Sequence, residues 1–166
     1  MRINKGVEWG VHACTLLAPL GPGKGLSLAH LAEYHGVPPA YMAKQMQALS
    51  KAGIVRTSRG KTGGYSLARP ASSISLWDIK AAIDGTLPAF RCTEIRQKGP
   101  CALSRDQCRQ ACPIAAAFAQ AETTYRQALQ SIRLTDLVAE VTTTSDHHHL
   151  TQIMDWYANS ITDLPE

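Results

Sequence analysis

No stretch of this 166-residue chain is apolar for the roughly 18 residues that a membrane-spanning helix needs. The best candidate, Val11 to Leu20, is short, contains His12 and ends in a Pro/Gly cluster. Glu8 stands just ahead of it and spoils a secretion signal. The chain therefore reads as cytoplasmic, with no membrane partner. Nucleotide-cradling loops and nucleophile-elbow motifs are missing too, and the one plausible acid/base pair is Glu8 with His12, so an enzyme is not expected. A composition of 45% hydrophobic and 18% charged residues excludes disordered, collagen-like and low-complexity classes. The length suits one compact domain, or a small domain with an appendage.

Acidic residues are scarce at the start of the chain. Residues 1 to 70 hold two Asp/Glu against nine Lys/Arg, a balance of +7, whereas residues 71 to 166 hold eleven against eight, a balance of −3. A basic half joined to a mildly acidic half suggests a nucleic-acid-binding module beside a partner or sensor module. Cysteine is nearly absent from the basic half, which has only Cys14, while Cys92, Cys101, Cys108 and Cys112 fall close together. An odd total without a secretion signal argues against a disulfide framework and for metal or redox chemistry.

Apolar spacing predicts a buried helix from Asn4 to about Leu20, stopped by the Gly21–Gly25 cluster. Ser27 can cap a second helix to about His35. Gly36 ends it, and Pro39 opens a third helix to about Ala52, with Met42, Met46 and Leu49 inward. Alternating residues 54–57 and 65–68 predict a hairpin around a basic, glycine-rich loop. Three helices and a hairpin is the order of a winged helix-turn-helix, so the expected class is mainly α with a small β-hairpin wing. Ser75 begins a short helix, Gly85 to Ala111 lacks periodicity, and Pro113 to about Ile132 is a long Ala-rich helix with an apolar side. Leu134 to Val141 adds a helical turn or two. The end of the chain, weakly helical around Ile153 to Ile161, is expected to be loose or partly ordered, with His147–His149 solvated.

A recognition helix presents polar side chains to base edges and cations to phosphates. Double-stranded DNA is therefore the expected partner. The third helix offers Tyr41, Lys44 and Gln45, and the hairpin loop offers Arg59 and Lys61.

Glu8-Trp9 with His12, residues 49–55 and the Gly60–Tyr65 stretch resemble the Rrf family of bacterial winged-helix transcriptional regulators, whose members include iron–sulfur, nitric-oxide and redox sensors. Residues 92–97 and 108–115 resemble most the family's redox-sensing RsrR branch. The resemblance spans about residues 1 to 140. It implies a homodimer held by the long helix, and a [2Fe–2S] or [4Fe–4S] cluster in the cysteine loop that modulates operator affinity. The expected division is then 1–72 as the DNA-binding domain, 73–140 as cluster loop and dimerisation helix, and 141–166 as tail.

The spacing C-x8-C-x6-C-x3-C lacks the paired knuckles of most zinc modules, although structural zinc or a thiol–disulfide switch stays open as an alternative. Glu8 and His12 are i, i+4 neighbours and share one helix face. With Cys92 and Cys112, which match the family's ligand positions, they make a four-ligand [2Fe–2S] set. The resemblance further implies that Glu8 and His12 come from one subunit and the cysteines from the other. A three-cysteine [4Fe–4S] site drawing on Cys101 or Cys108 remains open, as does the plain reading of Glu8 and His12 as part of a polar stripe. Cys14 lies on the apolar face and reads as core. Trp9 and His35 are candidates to relay a change at the first helix to the recognition helix, although a cationic His near a helix C-terminus is favourable in itself.

Overall fold

A computed structural model describes residues 3–58, 60 and 63–164. Helix α1 (Lys5–Leu17) is capped by Asn4, whose Oδ1 accepts the Gly6 N–H at 2.8 Å. Helix α2 (Leu28–Tyr34) begins at Ser27, whose Oγ accepts the His30 N–H at 3.1 Å. Gly36, at φ +59°, turns the chain into helix α3 (Pro39–Lys51). A non-glycine residue would meet the left-handed penalty at that turn. Strands β2 (Val55–Ser58) and β3 (Gly64–Leu67) pair antiparallel from Val55↔Leu67 to Ser58↔Gly64. The tip residues Arg59 and Lys61 lie outside the described residues.

Helix α4 (Leu76–Asp84) opens with a reciprocal cap. Ser75 Oγ accepts the Asp78 N–H at 3.2 Å, and Asp78 accepts the Ser75 N–H at 2.9 Å. Residues 85–112 hold only single 3-10 turns at Ile95–Gln97 and Asp106–Cys108. Helix α5 (Pro113–Ser131) follows and packs along α4, with none of its residues fully buried. Helix α6 (Leu134–Thr144) packs against α1 and the turn just before α4, where Leu134 N–H donates to the Ile74 carbonyl at 2.9 Å.

One core joins these elements. Leu17, Leu26, Leu31, Met42, Met46, Leu49, Ile54, Ile74, Ile79 and Leu134 are all almost fully buried. Glycines let α1 sit close between its neighbours: a Cβ on Gly6 would stand 2.6 Å from the Gln45 Oε1, and one on Gly10 would strike Ile83 of α4. Among the described residues no helix is long and apolar enough to cross a membrane.

The end of the chain departs from expectation. Residues expected to be loose form helix α7 (His147–Ser160) and strand β4 (Ile161–Asp163). Strand β4 pairs antiparallel with β1 (Lys24–Leu26), itself unforeseen, and completes a sheet of order β2-β3-β1-β4. Tyr157 is buried and donates its hydroxyl to the Leu16 carbonyl at 2.7 Å. Trp156 packs edge-on against Tyr34 of α2, ring centres 4.7 Å apart, and Lys24 pairs with Asp163 at 2.5 Å. The His147–His149 run lies exposed in the first turn of α7.

Candidate nucleic-acid interface and metal-binding region

Between α3 and the β2–β3 hairpin runs an open groove of about 660 Å³, lined by Ala40, Lys44, Gln47, Lys51, Thr57 and Tyr65 among others. Tyr41 stands 58% exposed on the same helix, with its ring edge-on to Trp9 of α1, centres 5.9 Å apart. Lys44 is exposed as well. The groove's lysines and short side chains suit a polyanion surface, the cations for phosphates and the small residues for close approach.

Gln45 is a correction to the expected reading residues. It is only 6% exposed, its Nε2 donates to the Tyr41 carbonyl at 3.3 Å, and its amide packs on Gly6. It falls on the inward stripe with Met42, Met46 and Leu49, so it ties α3 to α1 instead of facing the groove. Lys51 had not been singled out. It lines the far end of the groove, and its place seven residues after Lys44, on the same helix face, was the available signal.

Glu8 and His12 project, exposed, from one face of α1. They flank a mostly apolar cavity of about 270 Å³ whose walls include Val7, Val11, Leu76 and Leu129. The same helix reaches the end of α2: the His12 and His35 rings lie 5.2 Å apart, centre to centre. His35 caps the end of α2, but burial first, and then the neighbouring His12, lower its proton affinity. Its neutral form is thereby favoured, against the cationic reading of a histidine at a helix C-terminus.

In the cysteine loop, Cys92 is exposed and its Sγ accepts the Glu94 N–H at 3.4 Å. Cys112 occupies the N-cap of α5 and is 8% exposed. The backbone N–H groups of Ala115 and then Ile114 pull its thiol below the ordinary range, and the Arg96 guanidinium adds to this. A helix N-terminus and a cation are the surroundings that stabilise a thiolate. Cys101 is exposed, Cys108 is half-buried, and no loop cysteine is in a disulfide. Cys14 is wholly buried, and burial pushes its thiol up to about 12, so it serves the core. Among the described residues of one chain, no three His, Cys, Asp or Glu side chains gather as a metal centre requires. The α1 pair and the loop cysteines are thus not brought together within a single protomer.

A family model described as Rrf2, iron-dependent transcriptional regulator, matches residues 3–140. An HTH-type transcriptional regulator of Mycobacterium tuberculosis is 36% identical over 91 residues, which is 55% of this chain and 56% of that protein. The chain thus spans about half the length of that relative. The global cysteine regulator CymR of B. subtilis shares the fold with a TM-score of 0.66 at 20% identity, covering 84% of this chain and 98% of CymR. IscR of T. potens does so with a TM-score of 0.65 at 22% identity, covering 91% and 96%.

Proposed function

Because the chain belongs to the Rrf2 family of transcriptional regulators, a class of DNA-binding proteins and not of enzymes, we propose that it is a homodimeric redox sensor. In this reading a [2Fe–2S] cluster held by Glu8 and His12 of one protomer and Cys92 and Cys112 of its partner sets operator affinity. The observation that carries the reading is the place of Cys112 at the N-cap of α5, where the Ala115 and Ile114 N–H groups lower its thiol's proton affinity. Glu8 and His12 supply the remaining donors from an exposed helix face beside an apolar cavity. Mixed thiolate, imidazole and carboxylate ligation suits a [2Fe–2S] centre, since imidazole in place of thiolate raises the reduction potential.

Dimerisation is supported by α5, none of whose residues is fully buried within its own chain and which leaves Ile114 62% and Phe118 51% exposed. A two-fold dimer would recognise a pseudo-palindromic operator in the cytoplasm. Bound between protomers, the cluster would supply a one-electron couple. The chain's own residues provide the route to DNA: α1 carries Glu8 and His12 on one face and meets His35 of α2 and Tyr41 of α3 through its His12 and Trp9 rings. A shift of α1 therefore displaces both helices of the DNA-reading motif. A coupling of about 1–3 kcal/mol changes operator affinity roughly 5- to 150-fold.

The test is a visible absorption spectrum of anaerobically purified protein, together with light scattering. The expected result is a coloured dimer. Cys92→Ala and Cys112→Ala lose the colour, Glu8→Ala and His12→Ala alter its spectrum or retention, and Cys14→Ala leaves it intact. A normal cluster in both the Glu8 and His12 variants overturns the mixed-ligand set and moves the site to the four loop cysteines. A colourless, zinc-containing or metal-free protein overturns the sensor reading, and a monomer overturns the shared site.

A further inference from the structure

The two cysteine-bearing ends of the loop are tied together by one side chain that neither the family match nor the ligand set assigns. Arg96 donates from Nε to Glu94 Oε1 at 2.6 Å and from Nη2 to the Gln110 carbonyl at 3.1 Å. Its own carbonyl accepts the Leu103 N–H at 2.8 Å. One residue thus bonds the stretch just after Cys92, the middle of the loop, and the residue two before Cys112. Its side chain is only 21% exposed, although the loop around it is largely open to solvent. Glu94, which holds the guanidinium from the other side, stands at φ +51°, the only non-glycine left-handed residue among those described. From that conformation its N–H reaches Cys92 Sγ. The neighbouring ion pair, Arg109 with Asp106 at 2.7 Å, is about four-fifths exposed and lacks any such bridging role.

We infer that Arg96 is a positioning residue for the metal-binding cysteines: its guanidinium clips the Cys92 and Cys112 segments together and keeps a fixed positive charge in the loop between them. The inference rests on the cluster reading above. Two effects follow, and they separate chemically. The planar fork bridges a carboxylate and a carbonyl at once, which a lysine ammonium does not reproduce. The charge favours the more negative, reduced state of a centre bound there, because nearby charge is one of the factors that set such potentials.

Arg96→Lys, Arg96→Gln and Arg96→Ala dissect the role in the full-length protein. Three quantities are read: iron and sulfide retained per dimer, midpoint potential, and hydrogen exchange of the loop amides, the Leu103 N–H among them, in the metal-free protein. Arg96→Lys keeps the charge and loses the clip, so retention falls and loop exchange quickens severalfold while the potential stays near wild type. Arg96→Gln removes the charge as well, so the potential also falls. Arg96→Ala shows every loss. Wild-type retention, potential and exchange in Arg96→Ala overturn the inference. Cys92→Ala and Cys112→Ala separate its failure from that of the cluster reading. If they keep a normal cluster the ligand assignment is wrong, and the exchange series alone then decides whether Arg96 holds the loop together.

Discussion

Replacing Tyr157 with Phe removes one oxygen from a buried place and leaves the ring to pack as before. The hydroxyl donates at 2.7 Å to the carbonyl of Leu16, in the last turn of α1, where the helix has run out of its own N–H donors. Leu16 and Tyr157 are 6% and 8% exposed, so water cannot readily take over the bond. An orphaned buried carbonyl costs about 1–3 kcal/mol. For a chain of this size each kcal/mol lowers the melting temperature by roughly 2–4 °C, so about 2 kcal/mol gives a drop of roughly 4–8 °C. Urea unfolding followed by circular dichroism measures the loss, with protein concentration held constant because any self-association would shift apparent stability. A Tyr157→Phe protein within about 0.5 kcal/mol of wild type, the range of ordinary surface substitutions, would show that α7 adds little to the fold.

Operator binding should weaken in Lys44→Ala, Arg59→Ala and Lys61→Ala without unfolding, and each lost phosphate contact should reduce the salt slope by about 1. Titration of affinity against salt checks this, and unchanged binding in all three would remove the groove and wing from the interface. Asp78 gives a pH-dependent case. Burial alone would raise its proton affinity, but its bonds to the Ser75 N–H and hydroxyl and the Arg69 guanidinium, 3.2 Å away, lower it overall. A depressed carboxyl contributes stability that is present above its unfolded value, near 3.8, and is lost as pH falls through the lower folded value. Stability curves of wild type and Asp78→Asn at acid pH should therefore converge as pH falls, and a constant gap would contradict the assignment.

Much of the fold was legible because its signals are local. Ser27 and Ser75 announce helix starts within three residues, Pro39 and Gly36 bracket a turn, and the hairpin strands lie only ten residues apart in sequence. Strands β1 and β4 were not legible for the opposite reason. Each has three residues, too few for alternation to register, and their partners lie about 137 positions apart, as with Thr162 and Gly25. Gln45 misled because residue type suggested a polar outer face, while its register with Met42 and Met46 turned it inward against a glycine. The ligand candidates were visible as types and spacings, but spacing alone does not say which of them meet in space, and among the described residues of one chain no three of them gather.

The β1–β4 pairing also bears on how the protein is made. Strand β1 lies in the first sixth of the chain, yet its outer edge is covered only by residues 161–163. At roughly 5–20 residues per second, synthesis takes on the order of ten seconds to deliver β4 after β1 has emerged. During that interval the N-terminal part of the chain can assemble its helices and hairpin but presents an open strand edge, the kind of surface that recruits other chains. The edge is short and carries Lys24, both of which discourage such pairing, and that lysine is the residue Asp163 later neutralises. One side chain thus guards the nascent edge and then anchors the strand that closes it.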